Sequence, residues 1–230
     1  MPKTQNKASN REIMKGKIQK LIGSLLISTA IIYLVYFITM GGGAEVLPVY
    51  NPTDFNPELV DVSLQQESED HTVTDFELRN QNDSIITQND YKNKIYITDF
   101  FFTRCPSICP VMTNNMAKIQ DRFIADPDVM LLSVSVTPKL DSVAILQEYS
   151  RKHGAINGKW NITTGDKKHI YNLARKSYFA VVNEGDGGLQ DFIHTPNFIL
   201  VDRQKRIRGV YDGTKNEEID RLTQDIKRIL

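Results

Sequence analysis

The spacing of apolar and polar residues divides the chain into three stretches of different character. Residues 21–40 carry no charge over twenty positions, enough for one α-helix to cross the hydrocarbon layer of a membrane. Residues 41–72 have no periodicity. Gly41, Gly42 and Gly43 break the helix, Pro48, Pro52 and Pro57 keep the chain extended, and residues 65–70 are polar and acidic, so this stretch reads as a linker. From Val73 the pattern is that of a folded domain, residues 73–230. Alternation over 73–78 and 84–87, around turn residues 80–83, predicts an opening hairpin. A continuous apolar and β-branched run at 94–102 predicts a buried strand. Met112, Met116, Ile119 and Phe123 then recur at helical spacing, which predicts a helix over about 107–125. Next come a strand at 129–136, a helix from Asp141 or Ser142 to Lys152 closed by His153 and Gly154, and a short strand at 160–163. A helix at 166–177 and strands at 179–182 and 197–202 follow, the two strands separated by a glycine-containing loop at 183–190. A last strand at 206–211 and an amphipathic helix at 217–230, with Ile219, Leu222, Ile226 and Leu230 on one face, close the chain. This order predicts the α/β class: a mixed sheet flanked by helices, preceded by one N-terminal transmembrane helix.

Charge sharpens the first two stretches. The chain as a whole balances 28 basic against 28 acidic residues, but the signs are segregated. Residues 1–20 carry Lys3, Lys7, Arg11, Lys15, Lys17 and Lys20 against Glu12 alone, whereas residues 41–78 contain acids and no Lys or Arg. Positive charge before an apolar helix and negative charge after it place residues 1–20 in the cytoplasm as a basic tail and the rest outside. Signal-peptide apolar regions run to about 7–15 residues. The twenty-residue stretch at 21–40 therefore favours a retained anchor over a cleaved signal ending at residues 41–44. The N-terminus also lacks an Arg- and Ser-rich transit pattern, so the expected location is a bacterial inner membrane, single-pass, with the C-terminal domain on the periplasmic side.

That location bears on the chemistry. The chain has two cysteines, Cys105 and Cys109, both at the junction between the strand at 94–102 and the helix that follows. A helix N-terminus offers unpaired N–H groups and a partial positive charge, which favour thiolate over thiol. Outside the cytoplasm a cysteine pair most often forms a structural disulfide. A bridge closing only a five-residue span adds little stability, so retention for reactivity or for a metal is the stronger reading.

The segment Phe101-Phe102-Thr103-Arg104-Cys105-Pro106-Ser107-Ile108-Cys109-Pro110, at the turn between the first long strand and its helix, resembles the signature of the Sco (SenC) family. The later Phe192-Ile193-His194-Thr195 is similar to that family's copper-ligand histidine segment. The resemblance covers about residues 73–230 and implies a thioredoxin-like fold. It also implies a membrane-tethered copper chaperone that serves the CuA centre of cytochrome c oxidase subunit II, with Cys105, Cys109 and His194 as copper ligands. Other partners it implies are a copper donor protein or a thiol-disulfide reductant, along with the membrane itself. Two soft sulfurs and an imidazole suit Cu(I), and Cu(II) with further oxygen or nitrogen ligands. Structural zinc takes four protein ligands, and no obvious fourth is present. A second reading makes Cys105 and Cys109 a catalytic redox pair of a thiol-disulfide oxidoreductase, reducing the CuA-site cysteines or sensing redox state, with Cys105 attacking and Cys109 resolving. A third is an interaction domain with a plain disulfide. The chain departs from the family pattern at Thr137 and Ile193, where acids are usual, although Asp141 matches the second acid of the first segment. Pro196, just before a strand, resembles the cis-proline that faces the cysteines in thioredoxins.

The remaining chemistry-bearing residues have ordinary readings. His71 lies in the linker, His153 suits a helix C-terminus, and His169 lies in a polar helical turn. Met112 and Met116 share the helical face of the cysteines, a spacing that more often fills a core than binds metal. Asn161 heads a glycosylation-like triplet inside an expected strand. Lys and Arg are scattered without aromatic interleaving, so no nucleic-acid partner is expected, and neither a glycine-rich phosphate loop nor a Ser-His-Asp arrangement is discernible.

Overall fold

The computed structural model describes residues 3–40, 47–55, 71–181, 188 and 192–230, which fall into two units, one before and one after Leu47. The first is a single helix, α1 (Lys3–Met40). Its segment Met14–Phe37 is long and apolar enough to cross a membrane, and large apolar side chains such as Leu25, Ile32 and Phe37 stand exposed along it. Such a helix has no polar face to turn to water, unlike the amphipathic helices of the second unit.

The second unit is built on one seven-stranded sheet. Its strands are β1 (Glu77–Asn80), β2 (Ile85–Thr87), β3 (Ile95–Phe101), β4 (Val129–Ser135), β5 (Trp160–Thr164), β6 (Asn197–Val201) and β7 (Ile207–Asp212), in the spatial order β2-β1-β5-β4-β3-β6-β7. The central trio β5-β4-β3 is parallel, and the pairs on either side are antiparallel. Every residue of β3 and β4 is buried, because helices cover both faces of these strands. One face carries α2 (Ile108–Arg122), α3 (Val143–Lys152) and α5 (Asn216–Ile229), which contribute Met112, Met116, Ile119, Leu146, Ile219, Leu222 and Ile226 to a core with Ile97, Phe101, Leu131 and Trp160. The other carries α4 (Lys167–Asn172), continued by a π-turn at Leu173–Ser177, over Tyr96, Phe100, Leu132 and Val134. The mixed sheet flanked by helices is the architecture expected from the pattern.

Two local readings are corrected. Of the run expected as a strand at 179–182, the described residues 179–181 are not in a strand. Phe179 adopts φ 48°, a left-handed conformation that ends extended pairing, and the Ala180 carbonyl is occupied by the Thr195 hydroxyl and the Asn197 side-chain amide at 2.6 and 2.9 Å. The run is buried by wrapping, with the Phe179 ring against Phe55 and His71, while Val182 lies outside the described residues. The expected helix at 166–177 changes at Leu173 from α to π winding. The expected loop at 183–190 falls, Gly188 apart, outside the described residues, as do 41–46 and 56–70 of the expected linker.

Residues 47–55 of that linker pack on the sheet unit. The Tyr50 N–H donates to the Ile207 carbonyl at 2.9 Å, and buried Arg208 donates to the carbonyls of Leu47 and Pro48 while pairing with buried Asp202. A guanidinium with its charge and its N–H groups satisfied can be buried, and here it holds an irregular segment that has no sheet ladder of its own. His71, at the other end of the expected linker, is likewise satisfied: Nε2 lies 2.8 Å from the Ser177 carbonyl.

One acid breaks the apolar β3 run. Asp99 is 1% exposed and points into the layer shared with α2; Ser133 Oγ donates to it at 2.5 Å and Trp160 Nε1 donates to that same hydroxyl at 2.9 Å. Burial is the main cause that pushes its carboxyl up, to about 7, against the opposing hydrogen bond from Ser133. The unfolded chain releases this proton near the ordinary value of 3.8 and the fold keeps it until about 7. The stability gained is therefore complete below the lower value and is lost as pH rises toward the upper one. We expect the stability of the unit from Leu47, measured by urea denaturation with both cysteines reduced, to fall relative to Asp99→Asn by up to about 1.4 kcal/mol per pH unit across this window. Parallel pH profiles for the two proteins would exclude a buried acid titrating there.

Candidate functional site

The expected strand-to-helix junction is where the cysteines lie. After β3 the chain turns at residues 102–105, closed by Cys105 N–H to the Phe102 carbonyl at 3.3 Å, and α2 begins at Ile108. Cys105 thus sits in the turn and Cys109 in the first turn of the helix. Both are free thiols and both are buried, at 6% and 2% exposure, in the core layer that also holds Met112 and Met116. The two methionines are fully buried core residues.

The turn treats the sulfurs differently. Burial pushes the Cys105 thiol up, but the backbone N–H groups of Cys109 and Ser107, then His194 and the Cys109 thiol, together outweigh it and bring it down to about 6. Ser107 Oγ lies 3.6 Å from this sulfur. Cys109 is pushed up to about 12, foremost by burial, with the Cys105 sulfur and the Asp99 charge adding to it against a hydrogen bond from the Phe102 backbone. At neutral pH the pair is one thiolate and one thiol.

His194 arrives from the far side, just before β6. It is exposed, between buried Ile193 and buried Thr195, and its Nε2 lies 3.8 Å from Cys105 Sγ. Thr195 anchors the segment through Ala180, and Ile193 belongs to the core, which accounts for an apolar residue at that position. Phe102 and Phe192 form a three-ring cluster with the imidazole, their centroids 6.0 and 6.5 Å from it and 5.1 Å from each other. Pro196 departs from the expected likeness: no cis peptide bond occurs among the described residues, so Thr195–Pro196 is trans.

Cys105 thus has both other expected ligand positions as neighbours, the Cys109 thiol and His194 Nε2. A separation of 3.8 Å is shorter than the sum of a metal–sulfur and a metal–nitrogen bond of roughly 2.3 and 2.0 Å, so Cys105 and His194 can reach one ion. Among the described residues no group of three His, Cys, Asp or Glu side chains converges into a ready metal cage. Capture of an ion thus calls on the rotamer freedom of exposed His194. The other histidines lie elsewhere: His153 packs at a tilt against Tyr149, and His169 lies within α4. Asn161 is buried and donates to Tyr91.

Sequence reasoning missed two contributors. Asp99 was visible as a lone acid within an apolar strand, and Phe192 as an aromatic residue two positions before the histidine. Neither signal was specific without the fold. From the split ionisation we expect iodoacetamide labelling of the reduced chain to reach half its maximal rate at Cys105 near pH 6, with Cys109 unlabelled at that pH. Mass-spectrometric mapping of the alkylated cysteine checks this, and equal labelling of both would contradict it.

With this geometry in hand, comparison with known proteins is specific. The SCO1/SenC family model matches residues 64–230. The SCO1 protein homolog of Bacillus subtilis is 30% identical over 159 residues, covering 68% of this chain and 82% of that protein. The structure of BsSco, described with a disulfide switch and as a member of the Sco family of cytochrome c oxidase assembly proteins, superposes with a TM-score of 0.59 at 30% identity, covering 69% of this chain and 93% of the other. Arabidopsis thaliana ScoI with copper bound superposes with a TM-score of 0.55 at 27% identity, covering 69% and 98%. A family match over most of the sheet unit, joined to a cysteine pair and a histidine brought together as described, places the chain in the SCO1/SenC family.

Proposed function

We propose that the protein is a membrane-anchored copper chaperone that binds copper through Cys105, Cys109 and His194 and delivers it to the CuA site of cytochrome c oxidase subunit II. The observation that carries this reading is the approach of the Cys105 sulfur to His194 Nε2 at 3.8 Å, with Cys109 beside it. Two thiolates and an imidazole are a soft donor set suited to Cu(I), and Cu(II) is accommodated with added oxygen or nitrogen donors. Copper is the cargo here. Cys105 offers a thiolate at neutral pH, Cys109 gives up its proton as the ion enters, and exposed His194 can swing to close or open the set. The copper-bound Arabidopsis relative supports this chemistry. The basic residues in the first half of α1, ahead of its uncharged stretch, support a single-pass protein of a bacterial inner membrane, its sheet unit in the periplasm, where a copper donor protein would load it.

The split ionisation favours a second reading, thiol-disulfide exchange with the CuA-site cysteines or as a redox signal. The Cys105 thiolate would attack a partner disulfide, forming a mixed disulfide and releasing one partner sulfur. Cys109, losing its proton to that released sulfur, would attack Cys105 Sγ and free the second. Two electrons pass to the partner and the Cys105–Cys109 disulfide remains. The disulfide switch described for BsSco is consistent with such a cycle.

The first reading is tested by competition for Cu(I) with a chromophoric chelator. We expect one Cu(I) per reduced chain, and losses in Cys105→Ser, Cys109→Ser and His194→Ala that exceed the ten- to a hundredfold typical of an outer-shell partner. Wild-type affinity in His194→Ala would remove the third ligand and this reading with it. Disulfide turnover that survives His194→Ala and is abolished by Cys105→Ser would establish the second.

A further inference from the structure

We propose that Asp141 is a positioning residue for Cys105, acting through Thr103. Asp141 is fully buried, yet it takes part in no ion pair among the described residues. Its carboxylate is held instead by four donors, two from Thr103 and two from residues at and just beyond the end of β4. The Thr103 hydroxyl donates to Oδ1 at 2.6 Å, and the Thr103 N–H donates to Oδ2 at 3.1 Å. The hydroxyls of Ser135 and Thr137 donate to Oδ2 at 2.6 and 2.9 Å. A buried carboxylate without a cation is costly unless hydrogen-bonded, and losing one of these donors leaves an oxygen short of partners.

The distribution of the four bonds gives the residue its role. Two go to Thr103, two positions before Cys105 in the turn that Cys105 itself closes. Holding both the backbone N–H and the side-chain hydroxyl of one residue fixes that residue at two points. The other two bonds fasten the carboxylate to the end of β4, and Ser135 is paired in register with Phe101 of β3. Val136 N–H also donates to the Phe101 carbonyl at 2.8 Å. The Cys105 turn is thereby referenced to the sheet, where a free loop would drift. His194 is referenced to the same sheet through β6, so the separation of the two donors is set between rigid elements. Thr137 serves as a donor to this carboxylate, a role an ionised acid at that position could not fill.

The inference rests on the reading of Cys105 as a copper ligand, and its test separates the two. The full-length chain in detergent is compared with Asp141→Asn, Thr103→Val, Thr103→Ser and the double variant Thr103→Val/Asp141→Asn. Cu(I) affinity and, without metal, the rate of oxidation of the reduced cysteines by glutathione disulfide at pH 7 are measured, with far-UV circular dichroism as the folding control. We expect Asp141→Asn to lower affinity by about ten- to a hundredfold. Thr103→Val should lower it by roughly fivefold, Thr103→Ser should behave as wild type, and the double variant should match Asp141→Asn alone because both changes break one linkage. The glutathione reaction should slow in the same order. A purely structural Asp141 would lower melting temperature and leave affinity and rate unchanged in the folded protein, which overturns the inference. Equal behaviour of Thr103→Ser and Thr103→Val overturns it as well, since the hydroxyl would not be the link. Should Asp141→Asn fail to fold, the two Thr103 variants decide alone. Should the wild type bind no Cu(I), the copper reading falls, and the glutathione rates still decide whether Asp141 positions Cys105.

Discussion

The ordering of this site depends on how a negative sulfur is held in a mostly apolar pocket. Among the described residues no cationic side chain does it. The Cys105 sulfur is stabilised by backbone N–H groups at the start of α2, at Ser107 and Cys109, and by His194. Backbone amides are fixed by the chain geometry, so they stabilise the anion without adding a mobile charge that would compete for a ligand or a partner. The same arrangement explains the asymmetry of the pair. Once Cys105 carries the charge, Cys109, deeper and facing both that sulfur and Asp99, is driven towards the neutral thiol. One turn of chain therefore produces two sulfurs with different tasks, whether the incoming species is a metal ion or a disulfide.

Most of the architecture was legible because burial on both faces writes a strong local signal. The runs at β3 and β4 are buried throughout and mostly apolar, and the α2 and α5 stripes recur at helical spacing, so these elements lie within a few residues of where the pattern puts them. The misread run at 179–182 had the same apolar signal with a different cause. Its burial comes from Phe179 turning into a pocket of Phe55 and His71, and a left-handed backbone is not written in side-chain pattern. Residues 47–55 were opaque for the converse reason. Prolines and acids look like a spacer, and the Arg208 side chain that grips them is more than 150 positions away.

The site was legible in part. Both cysteines announced themselves by type and spacing, whereas His194 meant little from its own surroundings and gained meaning from the neighbouring motif. Its approach to Cys105 is a long-range contact, 89 positions apart, made by the antiparallel pairing of β6 with β3. Asp141 was visible as an acid at a helix start, a common capping position. That its four donors come from Thr103, Ser135 and Thr137 depends on the parallel β3–β4 pairing, which no local pattern contains.

The chain contains one tryptophan, Trp160, fully buried in the layer that holds both cysteines. Its indole N–H is joined through the Ser133 hydroxyl to the Asp99 carboxyl, whose charge in turn is felt at Cys109. Indole emission responds to nearby charge and to the polarity of its hydrogen-bond partner. The protein therefore carries its own optical gauge: a single unlabelled fluorophore, wired by two hydrogen bonds to the acid beneath the sulfurs, reports the protonation of the interior while the site is loaded or oxidised.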